Sequence, residues 1–317
     1  MKIVLLEALA ISDNKLDEFR SKLEEKGHEF KAYDKRVEKD EKIIERAKDA
    51  DVIIITNLPI SKNVINSLPE LKMISVAFTG VDHIDLNACK ENDIVVSNAP
   101  GYSTHSVAEL AIGLMVNVMR NMNKCDNAVR NGKTRSGLIG NEIHGKTLGI
   151  IGTGSIGTRV AEIGKAFGCD LIAYSRSESQ KAKELGIEYL SIEELFEKSD
   201  IISLHVPHTP ETEGMIDANL INRMKESAIF INTARGPIVD SEALADALND
   251  EKIAGAGVDV FEMEPPIPEK HPLVNAKNTV LTPHVAFATP EAFAKRADIV
   301  LSNIISWEKG DTINQIV

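Results

Sequence analysis

A chain of 317 residues is about twice the usual domain size, enough for two domains that each bury a hydrophobic core. Its formal net charge of −12 argues against a nucleic-acid or anionic-membrane surface as the main partner, because such contacts rest on clustered Lys and Arg. Three scattered cysteines, Cys89, Cys125 and Cys169, form no CxxC pair and no zinc spacing, which points to a reducing cytoplasm and to no bound metal.

The opening "MKIVLLEALAIS" has one Lys and an apolar run broken by Glu7, so it reads as a first buried strand and not as a signal peptide. No apolar run approaches the roughly 18 residues of a membrane span, and a soluble, cytoplasmic protein is expected. Short β-branched runs then alternate with charged helical stretches: "KIVLL" and 13 to 26, "HEFKAY" and 38 to 49, "VIIIT" and 61 to 67, "LKMISVA" and 85 to 91, then "IVVSN". This alternation predicts a parallel sheet covered on both faces. From Ser106 to Met122 the sequence is apolar around nearly its whole circumference, which predicts a helix packed on several sides or used as a subunit contact. A second series follows, with strands at "KTLGIIG", "DLIAYS", "DIISLHV", "AIFINTA", "IAGAGVDV" and "NTVLTPH". A final two-faced helix, about 290 to 308, is suited to return to the first domain, with Pro100, Gly101 and Pro290 as crossover points. The expected class is α/β, with two Rossmann-like or flavodoxin-like domains whose parallel sheets are covered by helices.

Gly152, Gly154 and Gly157 form GxGxxG between a strand and the helix from Ile156 to Phe167. In a dinucleotide-binding turn the first glycine permits the tight bend, the second lets the backbone approach a pyrophosphate, and the third brings helix and strand together. The free amides at the start of the helix, around Ser155 and Ile156, then face the phosphates. Glycines also end strands for purely structural reasons, and it is the strand, turn and helix context that favours binding.

Ligands of open α/β sheets sit beyond the carboxyl ends of the strands, where several polar residues collect. His205 and His208 flank Pro207 and make a poor metal pair, with no third ligand. Arg235 follows one buried strand, Asp259 and Glu264 the next, and His284 the last. Each admits a plain reading: Arg235 as a surface cation, Glu264 as a solvated loop acid, His284 as a satisfied loop histidine. Together they suit a nicotinamide site, with Arg as carboxylate anchor, His as proton donor, and a carboxylate that favours the imidazolium.

The ordered motifs "FTGVDHID", "NAPGYSTHSVAE", "GKTLGIIGTGSIG", "HVPHTPET", "NTARGPIVD", "GVDVFEMEPP" and "TPHVAFAT" resemble the D-isomer-specific 2-hydroxyacid dehydrogenases across essentially the whole chain. The resemblance implies a substrate domain at 1–99 plus 287–317, a dinucleotide-binding Rossmann domain at 100–286, and a homodimer joined through the latter. It implies that Arg235 binds the substrate carboxylate and carbonyl, that His284 donates the proton, and that Glu264 pairs with His284. The amides of Thr79 and Gly80 would hold the carboxylate from the first domain, with Phe78 and Phe287 narrowing the pocket. Asp259 would hold the nicotinamide amide, Thr233 and Ala234 would line its ring, and His205, Pro207 and Thr212 would lie on the cofactor side. Phosphoglycerate enzymes of the family usually carry an Arg where Val76 stands, so the glycerate, hydroxypyruvate and glyoxylate branch fits best. The alternatives are a D-3-phosphoglycerate dehydrogenase and a non-catalytic dinucleotide-sensing binding protein.

The strand end "LIAYSRSES" lacks the acid that usually bonds the ribose of NAD. Ser175, Arg176 and Ser177 offer two hydroxyls and a guanidinium for a 2′-phosphate, which favours NADP. The alternative is NAD, with Arg176 in solvent or stacked over the adenine.

Overall fold

Aliphatic runs of four or five residues are too short to make stable helices and form strands buried on both faces of parallel sheets. In the computed structural model, which describes residues 1–317, they build two sheets in two compact units, Met1–Ser103 with Ala288–Val317, and Thr104–Phe287.

The first unit alternates β1 (Lys2–Leu5), α1 (Asp13–Glu24), β2 (Glu29–Ala32), α2 (Asp40–Ala47), β3 (Val52–Ile55), α3 (Lys62–Asn66), β4 (Met73–Val76), α4 (Leu86–Glu91) and β5 (Val95–Ser97). The side chains of Ser12, Ser61 and Asp85 accept the amides of Lys15, Val64 and Ala88, which fixes where α1, α3 and α4 begin. The strands pair in parallel in the order β2-β1-β3-β4-β5, the flavodoxin-like arrangement. Ile3, Leu5, Val52, Ile54 and Met73 meet Phe19 and Leu23 of α1 in its core.

The second unit opens with α5 (Thr104–Met119) and α6 (Met122–Arg130). α5 buries Ala108, Ala111, Leu114 and Met115 in a core shared with Ile150, Val160 and Ile231. It ends at Met119, earlier than the expected Met122, because Asn121 turns the chain into the left-handed region at φ 53. There follow β6 (Thr147–Ile151), α7 (Ser155–Ala166), β7 (Asp170–Tyr174), α8 (Gln180–Glu184), β8 (Glu188–Tyr189), α9 (Ile192–Lys198), β9 (Ile201–Leu204), α10 (Ala218–Ile221), β10 (Ile229–Asn232), α11 (Ser241–Asn249), β11 (Gly255–Val258) and β12 (Thr279–Leu281). The parallel order is β12-β11-β10-β9-β6-β7-β8, the doubly wound dinucleotide-binding order with one strand added beyond β11. The last helix, α12 (Pro290–Glu308), lends Ala297, Val300, Leu301 and Ile304 to the first unit's core. No helix is long and apolar enough to cross a membrane.

The first unit extends to Ser103, past the expected switch at 99 and 100, for a packing reason. Tyr102 stands 6.1 Å from Phe78, the Arg296 guanidinium lies over its ring, and Lys295 donates to the Gly101 carbonyl. Phe287, expected at the start of the returning segment, clusters with the second unit and packs edge-on against His284 at 5.3 Å.

Candidate active site

The strand order sets β10, β11 and β12 side by side, so the segments leaving their carboxyl ends are neighbours. Arg235 leaves β10, Glu264 leaves β11 and His284 leaves β12. His284 Nδ1 lies 2.9 Å from each oxygen of Glu264, so its Nδ1–H donates to the carboxylate. The backbone there is unusual: His284 has φ 55, a left-handed conformation that costs a β-carbon residue energy and needs support from its surroundings.

Asp259 supplies that support. Its carboxylate is fully buried and accepts the Thr282 hydroxyl at 2.6 Å and the amides of Val285 and Ala286, each at 2.9 Å. Its backbone carbonyl accepts the His284 amide at 2.8 Å. Burial, the largest influence, holds its carboxyl above the ordinary carboxylate range, while the three donors work in the opposite direction. The bonds that Asp259 makes within the chain serve the turn that carries His284.

Arg235 is aimed by a different device. Asn232, at the end of β10, accepts the Ala234 amide at 2.9 Å and donates to the Arg235 carbonyl at 3.1 Å, clamping the intervening turn. Gly236 then passes so close to the next loop that a Cβ on it would stand 1.9 Å from the Phe261 carbonyl carbon, so only glycine lets the loops bearing Arg235 and Glu264 meet. The Arg235 guanidinium bonds only the neighbouring Ala234 carbonyl and has no carboxylate partner, which suits it to an anionic ligand.

The glycine-rich turn follows β6. Gly152 has φ 94, and a Cβ there would meet the His205 carbonyl oxygen at 2.5 Å; one at Gly157 would meet the Gly152 oxygen at 2.0 Å. A Cβ at Gly154 would meet nothing within 4 Å, which leaves the approach to the helix start open. α7 has no side-chain cap, so the amides of Ser155, Ile156 and Gly157 are offered to a ligand. The Thr233 hydroxyl is buried with no partner. Open backbone at a helix start and an orphaned hydroxyl fit a dinucleotide: the α7 amides would hold its phosphates, and Thr233 would offer it a hydroxyl.

Residues 112–286 match the family model described as "D-isomer specific 2-hydroxyacid dehydrogenase, NAD binding domain". The chain belongs to that family. It is 40% identical to a glyoxylate reductase of Korarchaeum cryptofilum over 276 residues, 85% of this chain and 83% of the relative. A hydroxypyruvate reductase of Blautia hydrogenotrophica is 35% identical over 100% of this chain and 99% of its own. Among solved structures, an acyclic imino acid reductase in complex with NADPH and D-Arg superposes with a TM-score of 0.90, at 32% identity and with 100% of both chains covered.

This 2-hydroxyacid dehydrogenase is therefore an oxidoreductase acting on CH–OH groups with a nicotinamide cofactor. The remaining candidates fall into three groups. Ser175 accepts the Thr153 amide at 3.4 Å, while Arg176 and Ser177 are exposed beside it. His205 is bonded to Ser203 at 2.8 Å and burial lowers its pKa to about 3, so it is neutral; Pro207 is exposed, and Thr212 donates to the Pro207 carbonyl at 2.7 Å, closing that loop on itself. Phe78, Thr79 and Gly80 lie in the first unit, after β4, with the Phe78 side chain buried and Thr79 exposed.

Asn232 and Thr282 lie inside the family motifs without a sequence signature of what they do, which is to clamp a neighbouring turn and to bond a buried carboxylate. Tyr189 lay outside them: its hydroxyl donates to Thr153 Oγ1 at 2.8 Å and accepts the Ser179 amide at 2.9 Å, bracing the turn from β8.

Proposed function

We propose that this enzyme reduces small 2-oxo acids, glyoxylate and hydroxypyruvate foremost, to D-2-hydroxy acids, with NADPH preferred over NADH. The observation that carries this reading is the His284–Glu264 pair, 2.9 Å apart, beside the loop that presents an uncompensated Arg235. When bound, the reduced nicotinamide supplies the hydride. Arg235 holds the substrate carboxylate and draws charge from the adjacent carbonyl. Glu264 accepts the Nδ1 proton and fixes the ring, so that Nε2 is the atom that protonates the developing alkoxide. In the first unit, the amides of Thr79 and Gly80 are the candidate carboxylate holders.

Val76 is buried in β4 and presents no cation for a phosphate, which supports an unphosphorylated substrate. Arg176 is exposed without an ion pair, and Glu178, its acidic neighbour, is paired with Lys183 at 2.5 Å, which tempers repulsion of a 2′-phosphate. A homodimer formed through the second unit and a reducing cytoplasm complete the proposal. Cys89 and Cys169 are buried free thiols whose pKa burial raises to about 11.

The test is steady-state turnover of glyoxylate, hydroxypyruvate and pyruvate with NADPH and with NADH, for the unmodified protein and His284→Ala. The expected result is highest efficiency with NADPH and one of the first two acids, and a rate about 100- to 10,000-fold lower in the variant with cofactor affinity kept. Failure to turn over any 2-oxo acid, or full activity in the variant, overturns the reading.

A further inference from the structure

Two successive amides hold an anion only if their peptide planes are fixed, and in the first unit those planes are fixed from behind. The Phe78 carbonyl accepts the Ala99 amide at 2.9 Å, and the Thr79 carbonyl accepts Asn98 Nδ2 at 2.7 Å. The Thr79 hydroxyl adds a third link, to the Ala99 carbonyl at 3.2 Å. In a planar trans peptide the N–H points opposite to the C=O, so tying these two carbonyls to residues 98 and 99 aims the Thr79 and Gly80 N–H groups away from them. Neither amide donates to another group of the chain. Paired, outward-facing N–H groups of this kind form an anion-binding concavity.

Asn98 is itself held on every side. Its amide donates to the Asn314 carbonyl at 3.0 Å, and its carbonyl accepts Nδ2 of the fully buried Asn303 on α12 at 2.8 Å. Asn314 Nδ2 closes the ring by donating to Asn303 Oδ1 at 2.8 Å. The segment carrying Asn314 is pinned along β5: Val96 donates to the Val317 carbonyl, Ile316 donates to the Val96 carbonyl, and the Ser97 hydroxyl donates to the Ile313 carbonyl. Asn98 and two asparagines from the far end of the chain thus converge behind one loop.

We infer that Asn98 is a positioning residue for substrate binding: its side-chain amide, carried on a backbone held by Asn303 and Asn314, orients the Thr79 and Gly80 amides towards the substrate carboxylate. The inference rests on the proposed reduction of 2-oxo acids and deepens it. Asn98 touches no substrate; it acts through the Thr79 carbonyl. A purely structural Asn98 would lower the active fraction and hence kcat, whereas a positioning role is read in KM for the acid.

The experiment compares the unmodified protein with Asn98→Ala, Asn98→Asp and Asn314→Ala, by steady-state kinetics and by calorimetric titration of oxamate, an unreactive 2-oxo acid mimic, into the NADPH complex. In Asn98→Ala, KM for the acid and Kd for oxamate rise about tenfold to a hundredfold, the loss expected for misdirecting a hydrogen bond to a charged group, while kcat and KM for NADPH stay within about threefold. Asn98→Asp is worse, since its carboxylate repels both the Thr79 carbonyl and the anion, and Asn314→Ala shows the same pattern at smaller size. Unchanged oxamate affinity in folded Asn98→Ala overturns the inference. If both Asn98 variants fail to fold, Asn314→Ala decides, and unchanged oxamate affinity there overturns it equally. Oxamate binding that depends on Asn98 without turnover of any 2-oxo acid would count against the proposed reaction alone, so the two failures are distinguishable.

Discussion

In the proposed reading, Arg176 sets the choice between two dinucleotides by a single charge. It sits at the end of β7 with its guanidinium in solvent, and the acid that would exclude a 2′-phosphate is replaced by Ser175. Glu211 is near enough to feel the arginine, although its carboxyl is held below the ordinary range first by the Thr209 hydroxyl and only in smaller part by Arg176. The Arg176 charge therefore stands available to a phosphate. Arg176→Ala is expected to raise KM for NADPH about tenfold or more while KM for NADH changes less than about twofold, since a charge-assisted hydrogen bond contributes roughly 1.5–3 kcal/mol. Equal changes for both cofactors would assign the arginine to the adenine or to solvent. The position of this residue was legible in the sequence because the dinucleotide turn fixes where the next strand ends. The hydroxyl of Ser175 was legible only in part: its bond to the Thr153 amide turns it towards the glycine-rich loop, a contact that spacing along the chain does not encode.

At the scale of elements, the alternation of short strands and charged helices was sufficient to place every strand except β8, because a strand buried on two faces has to be apolar along its length, whereas the two-residue edge strand β8 carries an exposed Glu188 and a half-buried Tyr189. The glycine turn and the residues leaving β10, β11 and β12 were legible for the same reason: in this topology the carboxyl ends form one edge. What stayed hidden were clamps that tie one loop to another. Asp259 is the example, a buried acid whose partners Thr282, Val285 and Ala286 lie more than twenty residues along the chain. Those bonds tie down the turn in which His284 has φ 55. Asp259→Ala is expected to orphan three donors, at a cost of about 1–3 kcal/mol each, and to release the histidine. The measurable outcome is a lower thermal midpoint together with a fall in kcat, at unchanged NADPH affinity. A lower midpoint with full kcat would reduce Asp259 to a stabilising residue, and a selective loss of NADPH affinity would return it to the nicotinamide amide.

At the scale of the molecule, the unusual feature is a helix with nothing to cover. α6 has no buried residue, yet Met122, Cys125 and Val129 recur at helical spacing along it, with Met122 50% and Val129 75% exposed. In the segment that follows, Ile139 is 90% exposed. Burying one such aliphatic side chain contributes roughly 1.5–3 kcal/mol, so a self-complementary contact that covers these positions twice, once in each copy, supplies a substantial driving force. Like-charged chains of −12 repel one another at long range, and this opposes association less as salt screens it. The proposed homodimer accordingly uses this apolar stripe, and sedimentation velocity at moderate ionic strength is expected to give a two-chain species. Val129→Asp with Ile139→Asp places two buried charges in each half of the contact and should convert that species to a single chain, with the circular dichroism spectrum unchanged because neither side chain packs within its own unit. A dimer that survives both substitutions would locate the contact elsewhere, and a single-chain species for the unmodified protein would remove the dimer altogether.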